Sequence, residues 1–146
     1  MAHTHTLAKT AAAFEAPRNI CSILRQSGTR EKFAAKSTLF RSGDAPRGVF
    51  LVLRGSVALS AGDDHSSFSR IASKGSLLGL PSTVGDRAYS LTAEALTEVT
   101  VCHIQPEEFR GMLSSNPLLG MAVVNILSDE VSALRASQSA LAPVHG

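Results

Sequence analysis

The stretch TLFRSGDAPRGVFLVLRGSVALS, Thr38 to Ser60, carries the densest run of Val, Leu and Phe in the chain. Within it GVFLVLRGSVALS is broken once, by Gly55, and the run ends at Gly62-Asp63-Asp64. Short β-favouring runs bounded by Gly and Asp read as strands joined by turns, so the pattern predicts two short strands here. The change from a helical period comes at Thr29. Downstream, SFSRIAS, AYSLTAEAL and TEVTVCHI repeat the manner: short, apolar and punctuated. Several short strands at close spacing predict a small sandwich, roll or barrel.

Helices flank this β region. Asn19 is placed to cap a short helix, NICSILRQSG, with Ile20, Ile23 and Leu24 on one side and Gly28 at its end. Residues 1–18, Ala- and Thr-rich and closed by Pro17, read as a flexible arm. Gln105-Pro106-Glu107-Glu108 is a helix start, with proline near the first position and acids where the helix dipole is positive. FRGMLSS completes that helix. Asn116-Pro117 opens another, uninterrupted by proline until Pro143. The globular unit is expected over residues 19–141, with 142–146 as a tail.

The last helix carries an a/d seam: Val124, Leu127, Val131, Leu134, Gln138 and Leu141 alternate steps of three and four. A second stripe, Leu119, Val123 and Ile126, lies to one side. One face is expected to pack on the β body and the seam to meet a second copy of the chain. The competing reading is a single helix with a broad apolar face against its own core.

Composition bounds the rest. The chain has 146 residues, 44% hydrophobic and 18% charged, which suits one globular domain. A net charge of +2 permits nucleic-acid binding without arguing for it. Two cysteines, Cys21 and Cys102, make neither a disulfide framework nor a four-thiolate metal site. The beginning, MAHTHTLAKTAAAFEA, lacks the pattern of a signal peptide, and no stretch is apolar enough to span a membrane, so a reducing cytoplasm is the expected compartment.

Thr38–Ser60 resembles the opening of the cyclic-nucleotide-binding domain of Crp/Fnr (catabolite activator) type sensors. The residues that carry the resemblance are Leu39-Phe40, Gly43-Asp44 at a turn, the apolar strand Val49 to Leu53, and Gly55. KGSLLG resembles the Gly-x-x-x-Gly of that family, and AEALTEVTVCHIQPEEFRGMLSSNPLL its Ala-x-Thr strand, next strand and following helices. The resemblance runs from about Asn19 to Leu141. It implies a mainly β (α+β) fold: an eight-stranded, jelly-roll-like β-roll with a short N-terminal helix and a long C-terminal dimerisation helix.

By the same resemblance, KGSLLGLPSTVGDRAYS, Lys74 to Ser90, is the phosphate-binding cassette. There the family places a Gly-Glu pair for the ribose and an Arg-Ser or Arg-Thr pair for the phosphate. A buried phosphate without a cation or several donors is severely penalised. Here Gly79 is followed by Leu80, and Tyr89-Ser90 stands where Arg-Ser is expected. Arg87, two residues earlier, is the candidate replacement cation, sharing Tyr89's face if the segment is a strand. The candidate pocket is therefore Gly75, Leu77, Leu78, Gly79, Leu80, Arg87, Tyr89 and Ser90, with Ser128 reaching in from the long helix. Hydroxyls at Ser76, Ser82, Thr83, Tyr89 and Ser90 among Leu77, Leu78, Leu80 and Val84 suit a small neutral or aromatic molecule better than a cyclic nucleotide. Alternatively the leucines simply fill the roll.

No cofactor is expected with certainty, and a cyclic nucleotide is the candidate ligand. His3-x-His5 reads as chance, while Cys102 and His103, adjacent on a strand, face opposite ways and do not chelate one metal. A cupin-like enzyme needs a histidine cluster near GDAPRG, which has none, so no enzyme is expected. The family's transcription factors continue into a helix-turn-helix. No such segment follows the long helix here, so a stand-alone domain without direct DNA binding is expected, unless the chain is part of a longer regulator. Three readings stand: a sensor with a degenerate cassette, a dimerising protein-interaction module without ligand, and an ordinary cyclic-nucleotide binder that uses Arg87.

Overall fold

The computed structural model describes residues 14–61 and 69–128. Strands and helices follow in the order β1 (Phe14–Glu15), α1 (Arg18–Ser27), β2 (Thr29–Phe33), β3 (Thr38–Phe40), β4 (Val49–Arg54), β5 (Val57–Ala61), β6 (Ser69–Ala72), β7 (Ser76–Leu78), α2 (Leu80–Gly85), β8 (Leu91–Ala95), β9 (Val99–Ile104) and α3 (Pro106–Ser115). A further helix, α4, is described over Pro117–Ser128. One sheet has the order β1-β7-β4-β9-β2 and the other β3-β8-β5-β6. All pairings are antiparallel. Strands β2 to β9 are the expected eight-stranded roll. The two-residue β1 comes from the segment read as an arm, and Ala16 N–H extends its pairing to Gly75 O at 2.8 Å.

The five-stranded sheet separates two apolar cores. Between the sheets lie Leu39, Phe40, Phe50, Val52, Leu59, Leu78, Tyr89, Val99 and Val101. On the other face, Val49, Leu51, Leu77, Leu80, Cys102 and Ile104 pack with Ile20 and Leu24 of α1, Phe109 of α3, and Leu119, Val123 and Ile126 of α4. Alternation along β4 sends Phe50 and Val52 one way and Val49 and Leu51 the other. That is why β4 reads as one continuous apolar run, as strands covered on both faces do. Gly55 turns β4 into β5 at φ +89°, and a Cβ there would lie 2.3 Å from Glu98 O, so no larger residue fits.

The helix boundaries need one correction. Helix α1 starts at Arg18 with Pro17 in the N-cap position and no side-chain cap bond. Asn19 is inside the first turn, because the fixed backbone of Pro17 already sets the helix entry. Gly28 ends α1 as expected. Gln105 and Pro106 open α3 as expected, with Glu107 and Glu108 in its first turn. The Asn116 side-chain oxygen accepts from Leu119 N–H at 3.2 Å and caps α4. Among the described residues no single helix is long and apolar enough to cross a membrane.

Candidate functional site

The cassette segment folds as a tight turn and a single-turn helix. Gly79 sits at φ +82°, and a Cβ on it would lie 2.9 Å from Gly48 O and 3.1 Å from Tyr89 Cε1. Glycine is required there both by the left-handed backbone and by the approach of the Tyr89 ring. The turn sends Leu78 into the core between the sheets and Leu80 into the helix-side core, and both are fully buried.

Tyr89 dominates the space behind Gly79. It is 3% exposed and stacks on Phe40, with ring centroids 4.0 Å apart and planes at 17°. Its phenol oxygen accepts from Arg47 N–H at 2.8 Å and donates to Gly48 O at 3.0 Å. Its backbone N–H donates to Asp44 O at 2.9 Å, and its carbonyl accepts from Gly43 N–H at 2.8 Å. Four hydrogen bonds thus stitch one residue to the β3–β4 loop. Burial pushes the Tyr89 phenol above its ordinary range, against the opposing pull of the Arg47 N–H bond and the Arg47 charge.

What remains of the pocket is a cavity of about 20 Å³ bounded by Phe40, Leu59, Gly79, Pro81, Tyr89 and Leu91, with Ser82 and Ser90 at its polar side. No charged side chain lines it. That volume holds about one water, whereas small-molecule pockets usually enclose some 300–1,000 Å³. Ser82 Oγ donates to Ala88 O at 3.2 Å, so its hydroxyl is engaged in the loop itself.

The structure divides the residues nominated from sequence. Gly79, Tyr89 and Ser90 line the cavity, and Leu78 is in the same core. Leu77 and Leu80 do not face it; both pack on the helix side, because β7 alternates and Gly79 reverses the chain. Gly75, at φ +92°, sits by a separate depression lined by Cys21, Arg25 and Lys74. Arg87 is exposed and its guanidinium folds beside Gly85. The strand alternation that would have turned it toward the pocket begins only at Leu91. Ser128 is exposed at the end of the described helix. Of the seam, Val124 is 58% exposed and Leu127 half-buried, while Val131, Leu134, Gln138 and Leu141 lie outside the described residues, as do His3 and His5. The second stripe, Leu119, Val123 and Ile126, is buried on the body.

Sequence reasoning missed Phe40 as a pocket wall and Arg47-Gly48 as the partners of the Tyr89 phenol. Phe40 was visible as the aromatic of the Leu-Phe pair; nothing in sequence tied Arg47 to Tyr89. The Arg47 guanidinium also donates to Leu39 O. Behind it, His103 Nε2 lies 2.6 Å from Arg47 O, its Nδ1 3.4 Å from Glu31, and its ring stacks on Phe50 at 4.5 Å. Cys102 faces the other way, donating to Leu24 O, and burial pushes its thiol up. Among the described residues no group of three His, Cys, Asp or Glu side chains is placed to hold a metal.

Comparison with known proteins bears on this arrangement. The model of the cyclic nucleotide-binding domain matches residues 30–116. No match is found among curated proteins. Among solved structures, the Thermus thermophilus catabolite activator protein superposes with a TM-score of 0.75 at 17% identity, over 86% of this chain and 60% of that one. The N-terminal domain of a transcriptional regulator from Streptomyces coelicolor A3(2) gives 0.64 at 23% identity, over 85% of each chain. The c-di-GMP responsive global regulator CLP of Xanthomonas campestris gives 0.67 at 17% identity, over 86% of this chain and 65% of that one. The chain thus spans less than two thirds of the Thermus and Xanthomonas proteins, and at these identities the likeness is one of fold. With the family match covering more than half of its length, from the edge strand β2 to the end of α3, the chain belongs to the cyclic nucleotide-binding domain family.

Proposed function

We propose that this protein is a regulatory domain of the cyclic nucleotide-binding fold that does not bind cyclic AMP or cyclic GMP in the usual way. The observation that carries the reading is the uncharged cavity of about 20 Å³ behind Gly79, with Tyr89 occupying the space and Phe40 stacked on it. A cyclic phosphate entering there would lose its water and find no cation, a cost that hydroxyls alone do not offset. Leu80, where the ribose carboxylate is expected by resemblance, is packed among Phe109, Leu119 and Ile104. Arg87 is exposed beside Gly85 and outside the cavity lining, which supports the reading without a replacement cation.

On this reading the signal passes through protein contacts. Leu118, Met121 and Val124 are 68%, 62% and 58% exposed on α4, and Val124 opens the heptad pattern that the sequence carries on to Leu141. A second copy of the chain is the partner that such a seam fits. The reading keeps 19–141 as the regulatory unit, to which the pairing of residues 14–16 with β7 adds an edge, and gives it no catalytic step. The free thiols Cys21 and Cys102 suit a reducing, cytoplasmic compartment.

The test is calorimetry with cyclic AMP and cyclic GMP. Two missing charge-assisted contacts at about 1.5–3 kcal/mol each amount to roughly two to four decades of affinity. Binding no tighter than about millimolar is expected on that arithmetic. Micromolar binding of either nucleotide overturns the proposal.

A further inference from the structure

On the helix side of the five-stranded sheet, beyond the end of the apolar core, lies a groove of about 570 Å³ lined by Arg25, Arg30, Lys32, Leu53, Arg54 and Thr100. Its construction follows from strand register. Lys32 pairs with Thr100 across β2–β9, and Arg54 pairs with Thr100 across β9–β4. Directly paired residues share a face, so a lysine and an arginine flank the threonine, with their strands about 10 Å apart. Arg30 stands two residues from Lys32 on the same face, opposite Cys102. Arg25 comes down from the last turn of α1. All four cations are exposed, and among the described residues none of the four pairs with a carboxylate. No Asp or Glu lines the groove.

Four positive charges in one concavity stand out in a chain whose net charge is only +2. Unneutralised like charges at this spacing repel one another, and an anion bound among them removes that cost. We propose that the groove is a binding site for a small oligophosphate-bearing molecule, its phosphates held by Arg25, Arg30, Lys32 and Arg54. The volume falls in the range of small-molecule sites, and a ligand that small matches four charges most readily with linked phosphates. Three of the four cations are arginines, whose planar forks bind phosphate oxygens in pairs. Leu53 adds an apolar wall for an organic portion. A single-stranded nucleic acid would want aromatic platforms for its bases, and the groove lining contains none.

This site is separate from the cavity behind Gly79, so its test is independent of the proposal above. Inorganic tripolyphosphate is titrated calorimetrically into the full chain at physiological ionic strength. One-to-one binding is expected, weakened about tenfold or more by Arg30→Gln with Arg54→Gln, the loss of one to two charge-assisted contacts. Arg41→Gln, an exposed cation of the β3–β4 loop, and Tyr89→Phe should leave it unchanged. If the paired variant fails to fold by circular dichroism, Arg25→Gln with Lys32→Gln carries the same test. No binding at millimolar tripolyphosphate overturns the site. Equal affinity for a hexaglutamate peptide or a short single-stranded oligonucleotide overturns the ligand class. An equal loss with Arg41→Gln reduces the effect to diffuse surface charge and overturns the proposal as well.

Discussion

Tyr89 and Phe40 lie nearly parallel, 4.0 Å between ring centroids, one at the exit of the cassette turn and the other at the end of β3. Phe50 extends the cluster, 5.6 Å from Phe40. This aromatic layer occupies the middle of the roll and joins the loop before β8 to the loop before β4. Its energetics are open to direct measurement.

Tyr89→Ala should destabilise the fold by about 3–5 kcal/mol, the usual cost of emptying an aromatic site in a core. It should also create a cavity of ring size, walled by Phe40 and faced by Arg47 N–H and Gly48 C=O. Phenol added to that variant is expected to raise its Tm in a concentration-dependent way, while leaving the wild type unmoved. An unchanged urea midpoint for the variant would contradict the packing described.

Tyr89→Phe keeps the stack and removes only the hydroxyl. Arg47 N–H and Gly48 C=O then lose a shared partner, and a loss of about 1–3 kcal/mol is expected. Chemical denaturation with unchanged slope should show it.

The same hydroxyl predicts a pH dependence. The Tyr89 phenol is raised in the folded state, chiefly by burial. A raised acid holds its proton longer when folded than when unfolded, so its contribution is complete below the unfolded value of about 10 and is lost as pH climbs through the folded one. Tyr89 is the single tyrosine and the chain has no tryptophan, so the phenolate absorbance band reports this residue alone. A titration above pH 10 should show late, unfolding-linked ionisation, and an ordinary curve in denaturant.

Gly79→Ala combines a left-handed backbone with a Cβ 2.9 Å from Gly48 O and 3.1 Å from the Tyr89 ring. A destabilisation of about 1–3 kcal/mol is expected from the backbone conformation, before any shift of the ring. Gly43, at φ +96° with open space around it, is the control: its alanine variant should show only the backbone part.

Met121→Asp with Val124→Asp changes two exposed apolar side chains of α4. In an isolated chain such surface changes shift stability by little, about 0.5 kcal/mol each. If α4 joins two copies, the variant should run as a monomer in light scattering while the wild type runs as a dimer at micromolar concentration. A monomeric wild type removes the seam from the proposal.

Much of this was legible in the sequence. The apolar run from Val49 to Leu53 marked a strand, and Gln105-Pro106 marked a helix start, because both signals are local. The facing of Leu77 and Leu80 was not legible, since it depends on how far the chain rotates at Gly79. Arg87 was placed by extending strand alternation backwards, whereas Arg87 to Ser90 is irregular and regular pairing starts only at Leu91. The partners of Tyr89 were invisible because Arg47 and Gly48 answer it with backbone groups, which no residue type advertises. The groove was hidden because only the β2–β9–β4 pairing brings Arg54 beside Arg25, Arg30 and Lys32, which are near one another in the chain.

The five-stranded sheet has one more consequence. Strands β4 and β9 press Phe50, Val52, Val99 and Val101 against the roll, and Val49, Leu51, Cys102 and Ile104 against the helices. They therefore form a diaphragm one strand-layer thick between the two cores. Close-packed interiors do not absorb a change of volume locally. A displacement of the aromatic layer by even a methyl group's width would be delivered to α1, α3 and α4 through a single sheet. Tyr89 and Phe40, stacked in the core between the sheets, bear directly on that layer.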